Sequence, residues 1–152
     1  MDMYVVCESR DGKASRAAEA ISEAAAANGV ATLVRSIDEA VPDDLVAADA
    51  IIAGCRLQAD TPFGGSIAGR LADWIAGLPD LDGQAVGVFC TYSFFPHTFA
   101  DVTARTAEVL NDLGEGFRTK GGDVVASHAL HVRDLEGDAV KLVSKLVDSV
   151  NG

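Results

Sequence analysis

Cysteine is scarce in this sequence, and long apolar runs are missing altogether. The 152 residues include three cysteines, Cys7, Cys55 and Cys90, which lie far apart and form no C-x-x-C pair. An odd number of scattered cysteines argues against the disulfide framework of a secreted protein. No apolar run reaches the roughly 18–20 residues of a membrane span, and the N-terminus lacks the basic and long apolar regions of a signal peptide. We therefore expect a cytoplasmic protein without a membrane span.

Positive charge and aromatic residues are also in short supply. The chain has 12 lysines and arginines against 23 acidic residues, so its net charge is -11, and 6% of its residues are aromatic. This acidic balance repels nucleic acid and favours a partner protein with a basic surface. His128 and His131 lie near one predicted strand at a spacing that points them to opposite faces, so we expect no metal site.

Short apolar runs alternate with segments of helical period along the whole chain. The runs predict strands at residues 3–7, 30–34, 49–54, 85–91 and 124–129. The periodic segments predict helices at 14–27, 66–76, 98–113 and 137–150, and a short helix within 36–46. Strands that are evenly apolar are typical of a parallel sheet covered by helices on both faces. The pattern therefore predicts a single α/β domain over residues 1–152, built on a doubly wound five-stranded parallel sheet.

In such a sheet, ligands bind beyond the carboxyl ends of the strands. The first loop there, residues 9–15, contains Gly12 and leads straight into a helix, so its free backbone amides and the helix dipole predict a phosphate site. It matches neither the P-loop nor the dinucleotide-binding motif. A nucleotide triphosphatase and a Rossmann dehydrogenase are therefore disfavoured.

Two further loops follow the third and fourth predicted strands. The loop at 55–65 is longer than the usual ~2–6 residues and offers Phe63 and Gly64 as a wall and a flexible backbone beside a planar ligand. The loop at 92–97 is rich in aromatic residues, of which Tyr92 is the best placed to contact a ring system. Together the loops predict a site for a planar, phosphorylated ligand.

Four segments of the chain resemble, in order and spacing, those of a short-chain flavodoxin. They are residues 4–21, ADAIIAGC at 48–55, FGGSIAGRLADWI at 63–75 and GVFCTYSFFP at 87–96. The resemblance implies a flavodoxin-like fold with strand order 2-1-3-4-5. It also implies a cytoplasmic flavoprotein that carries FMN and acts in electron transport, as a monomer or weak dimer, with redox partner proteins of basic surface.

The resemblance also implies which residues bind FMN. Ser9 through Ser15 would hold the phosphate, and the second and third loops would line the two faces of the flavin ring. No residue is assigned a catalytic role, because the flavin supplies the chemistry. The implied cofactor-binding residues are Ser9, Arg10, Asp11, Gly12, Lys13, Ala14, Ser15, Cys55, Arg56, Leu57, Phe63, Gly64, Thr91, Tyr92, Ser93 and Phe94.

Two alternatives to an electron carrier remain open. Asp11 and Ala14 stand where flavodoxins usually have hydroxyl residues, which favours a binding or regulatory module whose FMN binding is weakened or lost. The S-R-x-G pattern of the first loop also resembles flavodoxin-like enzymes. That pattern favours a flavin-dependent quinone reductase or protoporphyrinogen dehydrogenase.

Overall fold

The structure, a computed structural model, describes residues 1–8, 13–57, 66–92 and 99–151, the side chains at 13, 14, 66–69 and 99–102 excepted. Within these residues strands and helices alternate strictly. They are β1 (Asp2–Cys7), α1 (Lys13–Ala27), β2 (Ala31–Ser36), α2 (Pro42–Ala47), β3 (Ala50–Arg56), α3 (Ser66–Ala76), β4 (Ala85–Tyr92), α4 (Phe99–Thr119), β5 (Asp123–His131) and α5 (Leu135–Asn151). Among these helices, none is long and apolar enough to cross a membrane.

The strands form one parallel sheet in the order β2-β1-β3-β4-β5. This confirms the expected fold class and the implied strand order. The chain moves outward from β1 to β2, then returns across β1 to β3 and continues in the opposite direction. The winding therefore reverses between β1 and β3, which is where doubly wound sheets bind ligands.

Alternate side chains of the central strands enter two separate apolar layers. Because successive strand residues point to opposite faces, Met3 and Val5 lie in one layer while Tyr4 and Val6 lie in the other. The first layer packs against α1 and α5, through side chains that include Ile21 and Leu142. The second packs against α3 and α4, through Leu71, Ile75, Leu113 and Phe117.

The edge strands are less buried than an evenly apolar sheet predicts. β1, β3 and β4 are buried along almost their whole length, whereas β2 and β5 alternate between buried, half-buried and exposed residues. An edge strand is covered by fewer neighbours, so its side chains keep part of their contact with water. β5 also extends to His131, two residues beyond its predicted end.

Helix α4 is longer than predicted and runs through Gly114 and Gly116 to Thr119. Each glycine costs about 1 kcal/mol in a helix interior relative to alanine. Phe117 is fully buried in the second apolar layer, and burial of such a side chain contributes about 1.5–3 kcal/mol. Gly116 also allows close packing, since a Cβ there would lie 3.2 Å from Ile75 Cγ2. Tertiary packing thus offsets the low helix propensity of these residues.

Candidate functional site

The carboxyl ends of β1, β3 and β4 lie side by side at one edge of the sheet. Cys7 is aligned with Gly54 across β1 and β3, and Arg56 is aligned with Thr91 across β3 and β4. The backbone N–H of Leu57 donates to the carbonyl of Thr91 at 2.8 Å, which continues the pairing one residue beyond β3. The three loops singled out in the sequence therefore start from neighbouring strand ends.

The structure describes only part of the expected site. Ser15, Cys55, Arg56, Leu57, Thr91 and Tyr92 are described with their side chains, and Lys13 and Ala14 form the first residues of α1. The remaining candidates lie outside the described residues: Ser9, Arg10, Asp11, Gly12, Phe63, Gly64, Ser93 and Phe94.

Helix α1 begins at Lys13, within the segment 9–15 that the sequence predicts as the first loop, so the last residues of that segment form the first turn of the helix. It has 15 residues and no acidic residue in its first turn. In contrast, α2 and α5 each carry two acidic residues in their first turn. An acidic side chain would occupy the positive end of the helix dipole and compete with a bound anion. The start of α1 is therefore the end of these three helices best suited to an external anion.

Cys55 and Cys90 are aligned neighbours on β3 and β4, and both are fully buried. The pKa of the Cys55 thiol is raised above its ordinary value. The larger cause is a hydrogen bond between the two side chains, and the second is burial. The thiol is therefore protonated and shielded, and it behaves as a small core side chain. Cys55 can therefore contact a ligand only through its backbone.

Tyr92 is half-buried at the end of β4, and its ring packs edge-on against the ring of His131 on β5. The ring centroids are 5.0 Å apart and the planes meet at 83°. His131 is fixed in turn: its backbone N–H donates to Asp138 Oδ2 at 2.9 Å, and its Nδ1 accepts from the backbone N–H of Arg133 at 3.0 Å. Partial burial, with the carboxylates of Asp138 and Asp134, raises the pKa of the Tyr92 phenol.

Glu8, the first residue after β1, is not among the cofactor-binding residues expected from the sequence. This residue is only 5% exposed, and its Oε1 accepts a hydrogen bond from the backbone N–H of Arg56 at 3.2 Å. Its Oε2 is buried and has no hydrogen-bond partner in the part of the chain that the structure describes. The signal available in the sequence is a carboxylate placed directly after an apolar strand, at the start of a candidate ligand loop.

Burial is the main influence on the Glu8 carboxyl, and it raises the pKa of this group above its ordinary value. The hydrogen bonds from the backbone of Glu8 and Arg56 act in the opposite direction, as do the charges of Arg56 and Arg70. Thr91 provides a second buried polar atom at this edge, since its Oγ1 also has no partner among the described residues.

Solved structures with a similar fold include several flavodoxins. A short-chain flavodoxin associated with a non-canonical PDU bacterial microcompartment has a TM-score of 0.75 and 17% identity over 99% of each chain. The fold is that of the flavodoxins. Oxidised flavodoxin 2 from Bacillus cereus has a TM-score of 0.73 and 18% identity, over 98% of this chain and 99% of that one.

The flavodoxin fold of this chain also matches part of a larger protein. The flavodiiron protein from Giardia intestinalis has a TM-score of 0.57 and 15% identity, and the match covers 99% of this chain but 37% of that one. No family model matches the sequence, and no curated protein matches it either. The similarity therefore defines the fold and leaves the activity to the chemistry of the site.

The described part of the site fits FMN with one condition. The first turn of α1 lacks acidic residues and suits a phosphate. The Thr91 side chain is fully buried, whereas Leu57 and Tyr92 offer apolar and aromatic surface at the strand ends. The condition is set by Glu8, because an ionised carboxylate at this edge opposes an anionic ligand whereas a neutral carboxyl does not.

Proposed function

We propose that this protein binds FMN at the carboxyl ends of β1, β3 and β4 and acts as an electron carrier. The observation that carries the proposal is the meeting of the three strand ends beside the acid-free start of α1. The flavodoxin fold of the chain supports the same site. Bound FMN would supply one- and two-electron transfer chemistry.

The chain's own residues would bind and orient the cofactor. Ser9 to Ser15 would hold the phosphate, with the amides at the start of α1. Residues 55–64 would line one face of the ring and residues 91–94 the other, with Tyr92 held in position by His131. The net charge of -11 suits a redox partner with a basic surface.

The absorption spectrum of the purified protein, before and after addition of FMN, tests this proposal. We expect flavin bands in the isolated protein, or quenched flavin fluorescence and a shifted spectrum when FMN is added to the apoprotein. The absence of binding at high micromolar FMN would overturn the proposal. A double variant, Asp11→Thr with Ala14→Thr, is the matched comparison because it restores hydroxyl residues to the phosphate loop.

FMN binding by the two proteins, together with a turnover assay, separates the alternatives. FMN binding by the double variant but not by the natural sequence would identify a module that has lost its cofactor. Turnover of NAD(P)H or a quinone by the FMN-loaded protein would identify a reductase and overturn the role of passive carrier. Binding without turnover supports the electron carrier.

A further inference from the structure

The buried carboxyl of Glu8 has one satisfied oxygen and one unsatisfied oxygen. Oε1 accepts from the Arg56 backbone, whereas Oε2 is out of contact with water and has no partner among the residues that the structure describes. A buried polar atom without a partner loses its hydration without replacement, and the loss is larger for a charged group than for a neutral one. The arrangement thus favours the neutral form of the carboxyl.

Two positive charges near Glu8 oppose the effect of burial on its carboxyl. Within the described ranges, the charged and titratable groups facing it are Arg56 of β3, Arg70 of α3 and the thiol of Cys55. Arg70 is exposed and already pairs with Asp38 at 3.3 Å, so solvent and a second carboxylate weaken its effect on Glu8. The Cys55 thiol is neutral and contributes no charge. The two arginines therefore compensate for burial only in part.

A ligand bound at the carboxyl ends of the strands would shift the protonation equilibrium of Glu8 towards the neutral carboxyl. It displaces water from the strand ends and so lowers the dielectric around the buried Glu8 carboxyl, which penalises its charged form. A phosphate-bearing ligand also brings negative charge, which repels a carboxylate but not a carboxylic acid. Both effects favour the protonated carboxyl in the complex.

We propose that Glu8 is a proton-binding residue of this site, so that an anionic ligand binds together with one proton. The inference rests on the proposed function in taking FMN as the anionic ligand. Its consequence is that the affinity for FMN depends on pH through the residue that follows β1 and not only through the phosphate.

The dissociation constant for FMN, measured by fluorescence quenching between pH 5.5 and 8.5, tests the proposal. Above the pH at which Glu8 ionises in the free protein, we expect the constant to rise by up to about tenfold per pH unit. In Glu8→Gln, which is neutral at every pH, this rise should disappear and the low-pH affinity of the natural protein should persist. The matched control is Glu108→Gln, which removes the same charge from an exposed position on α4 and should keep the rise.

The outcomes separate this inference from the proposed function. FMN binding with the same pH slope in the natural protein and in Glu8→Gln would overturn the role of Glu8 and leave the cofactor site intact. If Glu8→Gln binds FMN and the natural protein does not, the role of Glu8 is supported, and the proposal that the natural protein carries FMN is overturned. No binding by either protein at any pH would overturn both. Circular dichroism checks that Glu8→Gln is folded, and Glu8→Ser repeats the test if it is not.

Discussion

Gly54 shows how one residue can set the position of the strand ends at the site. It is aligned with Phe89 across β3 and β4, two residues before the last residue of β3. A Cβ built on Gly54 would overlap the Phe89 ring, which is fully buried. The ring therefore lies directly over the glycine, where no larger side chain fits without a shift of the ring or the strand.

Gly54→Ala should destabilise the protein, because either the ring or the strand must move to make room for the methyl group. Overpacking of this kind costs about 1–3 kcal/mol. Gly87→Ala is the matched control in β4, since a Cβ there meets nothing closer than 3.5 Å and should be neutral or slightly stabilising. Urea unfolding measures both variants. Equal free energies of unfolding for the two variants would contradict the assigned contact.

Glu8 should also make the stability of the ligand-free protein depend on pH. Its pKa is raised in the folded state above the ordinary value of 4.5, so the folded protein holds this proton more tightly than the unfolded chain does. The stabilisation is complete below about pH 4.5 and is lost as the pH rises through the folded pKa, by up to about 1.4 kcal/mol per pH unit.

The measurement is the difference in free energy of unfolding between the natural protein and Glu8→Gln, taken from urea titrations across pH 4 to 8. We expect the free energy of unfolding of the natural protein to fall relative to that of Glu8→Gln as the pH rises. Contributions from the other carboxylates cancel in the difference. A difference that is constant across the range would mean that Glu8 ionises normally, and it would argue against the proton-binding role as well.

At the scale of the elements, local signals predicted the starts and ends of some segments but not of others. The bounds of α3 were predicted correctly from the periodic apolar residues of 66–76 and from Gly77, which follows them. The end of α4 was predicted wrongly, because its last turns are stabilised by burial of Phe117 against other elements and not by local propensity. Contacts between distant segments leave no such local pattern.

The same distinction applies to the elements of the site. The run from β1 through the first loop into α1 was recognisable in sequence, and so was the position of the two other loops after β3 and β4. The buried position of the Glu8 carboxyl was not, because its hydrogen bond comes from the backbone of Arg56, which is 48 residues away in the chain. The edge-on packing of Tyr92 against His131 likewise depends on the pairing of β4 with β5.

At the scale of the whole molecule, strand order decides which loops can act together. The three loops are separated by tens of residues, yet the order β2-β1-β3-β4-β5 brings their strands together at the centre of the sheet. A ligand that contacts all three loops would therefore link β1, β3 and β4. Binding of that kind stabilises the fold as a unit, because the unfolded chain has no assembled site.

FMN should consequently raise the melting temperature of the whole protein. At a concentration of about 100 times the dissociation constant, binding adds about 2.7 kcal/mol to the free energy of unfolding. For a chain of this size each kcal/mol corresponds to about 2–4 °C, so we expect a rise of about 5–10 °C in differential scanning calorimetry. Riboflavin is the control: it has the same ring but no phosphate, so it cannot use the start of α1 and should give a smaller shift at equal concentration. Equal shifts would show that the phosphate does not contribute, and no shift with either ligand would argue against a flavin site that joins the three central strands.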